Sequence, residues 1–201
     1  MIKLGGWNVN VSTSGMPQKI ASVMGNGFLT VNSCEYKFIA TLGTQQVNGT
    51  NTAILAQQTV LTGKDVNNAT VLVFNEKPGS MDVALVETRV IVESGGAFGG
   101  ISVNMSTMIP EEADEAFKAA LEGFTGSKIE PFAFIGTQVS KGVNYILAAK
   151  VTATALGASP DLAIVTVRPL LEPKLEFRRM LDKGVNDIEE SKLGYAFTWL
   201  S

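Results

Sequence analysis

The side chains that most often carry catalysis are scarce in this sequence. It contains no histidine, which removes the Ser-His-Asp triad, the Cys-His pair and histidine-bound zinc together. Cys34 is the one cysteine, so disulfides within the chain and thiolate clusters are excluded as well. Cys34 follows a helical segment and precedes a strand, and it reads as a buried structural thiol. What remains is carboxylates. The densest run, Glu111-Glu112-Ala113-Asp114-Glu115, continues into Lys118 and reads as a solvated helix face, and Glu189-Glu190 reads the same way. The expectation is a protein that is not an enzyme, with no catalytic residue, no metal and no cofactor.

The elements that would position any other kind of site can be read from composition and pattern. A chain of 201 residues, 45% hydrophobic and 17% charged, suits one large domain or two of about 100 residues each. Its formal charge of -3 offers a phosphate backbone no attraction, so nucleic acid is not an expected partner. Met1-Ile2-Lys3-Leu4-Gly5-Gly6 has none of the features of a secretory signal, and no run approaches the roughly 18 apolar residues of a membrane helix. The expectation is no membrane partner, in a protein that works in the cytoplasm or is a mature form whose signal was removed.

The sequence repeats. Gly5-Gly6-Trp7-Asn8-Val9-Asn10-Val11-Ser12-Thr13 returns as Gly99-Gly100-Ile101-Ser102-Val103-Asn104-Met105-Ser106-Thr107, 94 residues later. From Pro17 the offset is 93: Pro17 maps onto Pro110, Gly43-Thr44-Gln45 onto Gly136-Thr137-Gln138, Gly49 onto Gly142 and Asn51 onto Asn144. After Pro110 the apolar residues Ala113, Ala116, Phe117, Ala120, Leu121 and Phe124 form the stripe of an amphipathic helix of about four turns. Proline and the glutamates 111 and 112 suit its first turn. The same offset places Ile20, Val23, Met24, Gly27, Phe28 and Val31 on an equivalent first helix, weakened by Gly25 and Gly27.

Each helix is followed by segments rich in β-branched and aromatic residues, separated by turn chemistry. Strands are expected near 35–46, 49–61, 68–75 and 81–93, and again near 128–139, 142–154, 161–168 and 173–181. The fold class is therefore α+β, as two tandem units, each one helix packed on a four-stranded antiparallel sheet. Unit 1 spans 1–95 and unit 2 spans 99–181, with the glycine-rich stretch at 94–100 between them. Residues 182–201 form a C-terminal extension with a short helix near 186–192. Residues 1–98 carry 6 Lys+Arg and 6 Asp+Glu against 10 and 13 in 99–201, so the whole net charge lies in the second half. Two copies with different surfaces suggest different duties.

The first unit resembles the cystatins, and among them the disulfide-free stefins. Gln45-Gln46-Val47-Asn48-Gly49 fits the Gln-x-Val-x-Gly loop of that family and is followed, as that loop commonly is, by Thr50-Asn51. Gly5-Gly6 lies where stefins have their N-terminal trunk, and Pro78-Gly79 lies where they have a second hairpin. The Gly-Gly-Trp opening and the run from Phe132 to Tyr145 look more like bacterial cystatin-like proteins. The resemblance covers about 180 of the 201 residues. It implies two cystatin-like units and a reversible inhibitor of papain-like cysteine proteases. Gly5, Gly6, Gln45, Gln46, Val47, Asn48, Gly49, Pro78 and Gly79 would form a wedge that fills the protease cleft without being cleaved. Such a wedge needs a tight turn, which Gly49 permits, and an apolar tip, which Val47 supplies. Rigid hairpins lose little entropy on docking.

Unit 2 departs from the pattern. Gln138-Val139-Ser140-Lys141-Gly142 keeps glutamine and glycine but has serine in place of valine, and its second turn, within 168–173, lacks Pro-Gly. Its loop is read as a relic of the scaffold. The alternative function is a non-inhibitory module that presents a sheet face or hairpins to another protein, motivated by this erosion and by the charge asymmetry. The acceptor patterns at Asn10, Asn48, Asn68 and Asn104 read as chance matches in a non-glycosylating host. Strained hairpin loops leave a strand-exchanged dimer open.

Overall fold

The computed structural model describes residues 6–25, 27–61, 66–80, 82–95, 100–139, 142–168 and, for the backbone alone, 174–179. The chain divides into two compact units, Met1–Ser94 and Gly95–Ser201. Unit 1 contains β1 (Trp7–Ser12), α1 (Gln18–Met24), β2 (Phe28–Val31), β3 (Cys34–Val47), β4 (Gly49–Val60), β5 (Val66–Glu76) and β6 (Val83–Val92). Unit 2 contains β7 (Ile101–Ser106), α2 (Glu111–Ala120), β8 (Ser127–Val139), β9 (Val143–Ala153), β10 (Asp161–Arg168) and β11 (Lys174–Arg179). Every strand pair is antiparallel. The class is α+β.

Two expectations need correction. The unit 2 sheet holds one strand more than the four expected and the unit 1 sheet two more, because the segment before each helix is itself a strand and, in unit 1, Phe28–Val31 adds another. The sheet orders are β1-β3-β4-β5-β6, with β2 also on β3, and β11-β10-β9-β8-β7. The alternation of Trp7, Val9 and Val11, and of Ile101, Val103 and Met105, is the period of two that a strand requires. The first helix is also shorter than the apolar stripe suggested. It stops at Met24, because Gly25 and Gly27 take positive φ angles of 55° and 93°, which end a right-handed helix. Phe28 to Val31 then pair with β3, and Phe28 is 48% exposed instead of lying on a buried stripe. The expected helix near 186–192 and the C-terminal extension lie outside the described residues.

The remaining strands lie close to the expected segments, and burial explains why the helices sit where they do. In unit 1, Ile20 and Met24 of α1 pack with Tyr36, Ile54, Ala56, Leu72 and Phe74 of β3, β4 and β5. In unit 2, Ala113 and Phe117 of α2 pack with Ile129, Phe134, Leu147, Ala149, Val151, Val165 and Val167. The outer residues of the predicted α2 stripe, Leu121 and Phe124, pack against the same cluster from beyond the helix end. Burying a side chain of this size contributes roughly 1.5–3 kcal/mol, so each helix is held by its apolar face more than by intrinsic propensity.

The repeated glycines Gly43 and Gly136 have a direct structural cause. Gly43 of β3 pairs with Val9, and Gly136 of β8 pairs with Val103. A β-carbon on Gly43 would come 2.4 Å from the Asn8 carbonyl oxygen, and one on Gly136 would come 2.1 Å from that of Ser102. Only a residue without a side chain lets the N-terminal strand of each unit lie this close.

One end of unit 1 is closed by a buried polar network. Gln58 Nε2 donates to the Tyr36 hydroxyl at 3.0 Å, Asn68 Nδ2 donates to Gln58 Oε1 at 3.0 Å, and the Ser94 amide donates to Asn68 Oδ1 at 3.0 Å. These pairings satisfy groups that would otherwise be costly to bury, and they tie the last residue of the unit to its sheet. Burial pushes the Tyr36 hydroxyl pKa up, against the opposing effect of the Gln58 bond. Cys34, half-buried beside this network, accepts a weak contact from Gln58 Nε2 at 3.5 Å.

Candidate functional site

The opposite end of the unit 1 sheet gathers three segments that are far apart in sequence. β1 begins at Trp7, paired with Gln45. Beyond Gln45 the backbone turns at once, with Gln46 opposite Thr50 and Val47 opposite Gly49. β4 in turn places Thr50 opposite Glu76, the last residue of β5. The start of the N-terminal strand, the β3–β4 turn and the β5–β6 turn therefore lie side by side along one edge. Gly6, half-buried, directly precedes Trp7; Gly5 lies outside the described residues.

Each turn is built by local chemistry. Gly49 has a φ of 105°, in the region that side chains avoid. A β-carbon there would stand 2.1 Å from the Glu76 carbonyl oxygen and 3.2 Å from the Lys77 α-carbon. The first turn thus rests directly on the base of the second. In the second turn the Ser80 amide donates to the Lys77 carbonyl at 3.3 Å. Pro78 and Gly79 occupy its central positions, with Gly79 at φ 71°. Proline then glycine with positive φ is the pattern of a type II turn.

Side chains stiffen the edge from behind. Asn51 Nδ2 donates to Gln45 Oε1 at 2.9 Å, and Asn75 Nδ2 donates to Asn51 Oδ1 at 2.7 Å. This amide ladder crosses β3, β4 and β5 one step back from the turns. On the alternate positions Gln46 Nε2 donates to Thr50 Oγ1 at 3.3 Å. Lys19 of α1 pairs with Glu76 at 2.8 Å, which ties the helix to the strand that carries the second turn. Outward, Val47 is 48% exposed, and Asn48, Lys77, Pro78 and Gly79 are exposed, so the edge presents apolar and amide groups with one lysine.

All the sequence-predicted site residues that are described, Gly6, Gln45, Gln46, Val47, Asn48, Gly49, Pro78 and Gly79, lie at this edge. Sequence reasoning missed the part played by Asn51 and Asn75. Asn51 did carry a signal, since it repeats with Gln45 as Asn144 with Gln138, and Asn144 Nδ2 donates to Gln138 Oε1 at 3.3 Å.

Unit 2 reproduces the beginning of this arrangement. Ile101 pairs with Gln138, and Gln138 with Asn144. Its hairpin leaves Val139 67% and Val143 40% exposed. Gly142 has a φ of 128°, yet a β-carbon there would meet nothing within 4 Å among the described residues. The position equivalent to Asn75 is Arg168, so the third strand carries a guanidinium there in place of an amide. The turn within 168–173 lies beyond Arg168, outside the described residues.

Among the described residues no group of three or more Cys, Asp or Glu side chains is placed to hold a metal ion, and no helix is long and apolar enough to cross a membrane. The sequence matches no protein-family model and no curated protein.

Proposed function

We propose that the protein is a pair of tandem cystatin-like units, and that the first reversibly inhibits papain-like cysteine proteases. The observation that carries this reading is the approach of Gly49 to the Glu76 carbonyl, together with the pairing of Trp7 with Gln45. These contacts line up a glycine-led N-terminus, a Gln-x-Val-x-Gly turn and a Pro-Gly turn, the three parts that the resemblance requires of a wedge. Val47 enters the protease cleft as the apolar tip, Gly6 and the residue before it lie along the substrate groove, and Pro78-Gly79 sets the far side. No residue of the wedge does chemistry; inhibition is occlusion. The amide ladder and the direct packing of one turn on the other hold the three parts in place before binding, which keeps the entropy loss small.

Papain with counted active sites, titrated with wild type and with Val47→Asp, tests the assignment. Val47 is exposed, so the variant keeps its fold, while a carboxylate forced into an apolar contact weakens binding by about 30-fold or more, the effect of losing a hot spot worth roughly 2 kcal/mol. Equal behaviour of the two proteins removes the turn from the site.

A second reading is a non-inhibitory module that presents hairpins to another protein. It is favoured by the exposed pair Val139 and Val143 on a hairpin of unit 2 that lacks the family motif. Recovery of no specific partner from the native host would count against it.

A further inference from the structure

Asn48 is the single residue between the paired Val47 and Gly49, and its side chain is exposed. The residue after it is held as glycine by the fold, because a β-carbon at 49 would collide with the Glu76 carbonyl oxygen. The packing that makes the turn thus also places the least hindered peptide nitrogen behind an exposed asparagine.

We propose that Asn48 is a site of spontaneous deamidation, which converts the neutral tip of the hairpin into an anionic one. The Gly49 backbone nitrogen attacks Cγ of Asn48 and forms a new C–N bond. The bond from Cγ to Nδ2 breaks, and that nitrogen leaves as ammonia, carrying the proton that the Gly49 amide gives up. Water then opens the resulting five-membered succinimide at either carbonyl. One opening yields aspartate with the backbone unchanged. The other yields isoaspartate, in which the backbone runs through the former side chain and is one methylene longer. No oxidant or cofactor takes part.

Bulkier residues follow the other asparagines of this edge: Thr52 follows Asn51 and Glu76 follows Asn75. Both of those asparagines are also committed to the amide ladder. Unit 2 carries Lys141 at the position of Asn48, so its hairpin cannot undergo the change. The consequence for inhibition rests on the function proposed above: a carboxylate beside Val47 would have to be desolvated on docking, at a cost an amide does not incur.

The test is incubation of the folded protein in mildly alkaline and in mildly acidic buffer, followed by tryptic mapping with fragmentation and enzymatic methylation of isoaspartate. The expected result is isoaspartate and aspartate at position 48 in the alkaline sample, with Asn51 and Asn75 intact. Asn48→Gln, which would need a six-membered ring, stays unmodified. Asn26-Gly27, the other Asn-Gly pair, lies in a separate tryptic peptide. Loss of Asn48 no faster than loss of Asn51 overturns the proposal. Charge-separated fractions titrated against papain then show inhibition in the unmodified fraction and its loss in the modified one. If position 48 is modified and neither fraction inhibits, the deamidation stands and the inhibitor assignment falls.

Discussion

Gly49 lies against Glu76 so closely that a β-carbon would stand 2.1 Å from the Glu76 carbonyl oxygen. Two turns well separated in sequence are thereby one rigid object, and the contact exists only because position 49 has no side chain.

Gly49→Ala therefore carries two penalties, a φ of 105° that alanine resists and a collision with backbone that cannot swing away. Gly142→Ala carries only the first, since nothing described lies within 4 Å of its β-carbon position. Urea unfolding of the two variants should show the larger loss for Gly49→Ala, about 1–3 kcal/mol from overpacking added to the backbone strain both share. Equal midpoints for the two would mean that the turns are not in contact.

The N-terminal strands depend on the same principle. Gly43→Ala and Gly136→Ala should each destabilise their own unit by about 1–3 kcal/mol, by pushing β1 or β7 away from its neighbour. Hydrogen exchange checks where the damage falls. Gly43→Ala should lose protection at the β1–β3 pairing and leave β7 and β8 as they were.

Glu130 gives unit 2 a modest acid dependence. Hydrogen bonds from Lys128 at 2.8 Å and Lys150 at 3.1 Å hold its carboxylate pKa below the usual range, the Lys128 bond being the larger cause. A depressed pKa stabilises the fold above the unfolded value of about 4.3, and that contribution disappears as pH falls through the lower folded value. Glu130→Gln should thus be slightly less stable than wild type at neutral pH, by less than about 1 kcal/mol because the pair is solvent-screened. The difference should close as pH drops below the usual glutamate range. A difference that widens toward acid pH would contradict the assignment.

Much of this architecture was legible in the residues. The strands of both meanders were visible because β-branched runs alternate with Val-Asn-Gly, Pro-Gly and similar turn pairs. The helices were visible as stripes, but the end of α1 was not: Phe28 and Val31 keep the apolar period while Gly25 and Gly27 break the backbone that would carry it. β1 and β7 escaped because six residues with polar alternates resemble a linker as much as a strand. The meaning of Gly43 and Gly136 could not be read at all, since it lies in a strand that arrives from elsewhere in the sequence. The Gln45–Asn51–Asn75 ladder was hidden for the same reason, its last step joining residues 24 apart.

If the edge formed by Gly6, the Gln45–Gly49 turn and the Pro78-Gly79 turn is a working wedge, titration of active-site-counted papain with the wild-type protein shows it without any variant. Activity should fall linearly to a one-to-one end point, with the inhibitor recovered uncleaved. Full papain activity in micromolar excess of the protein would rule the wedge out.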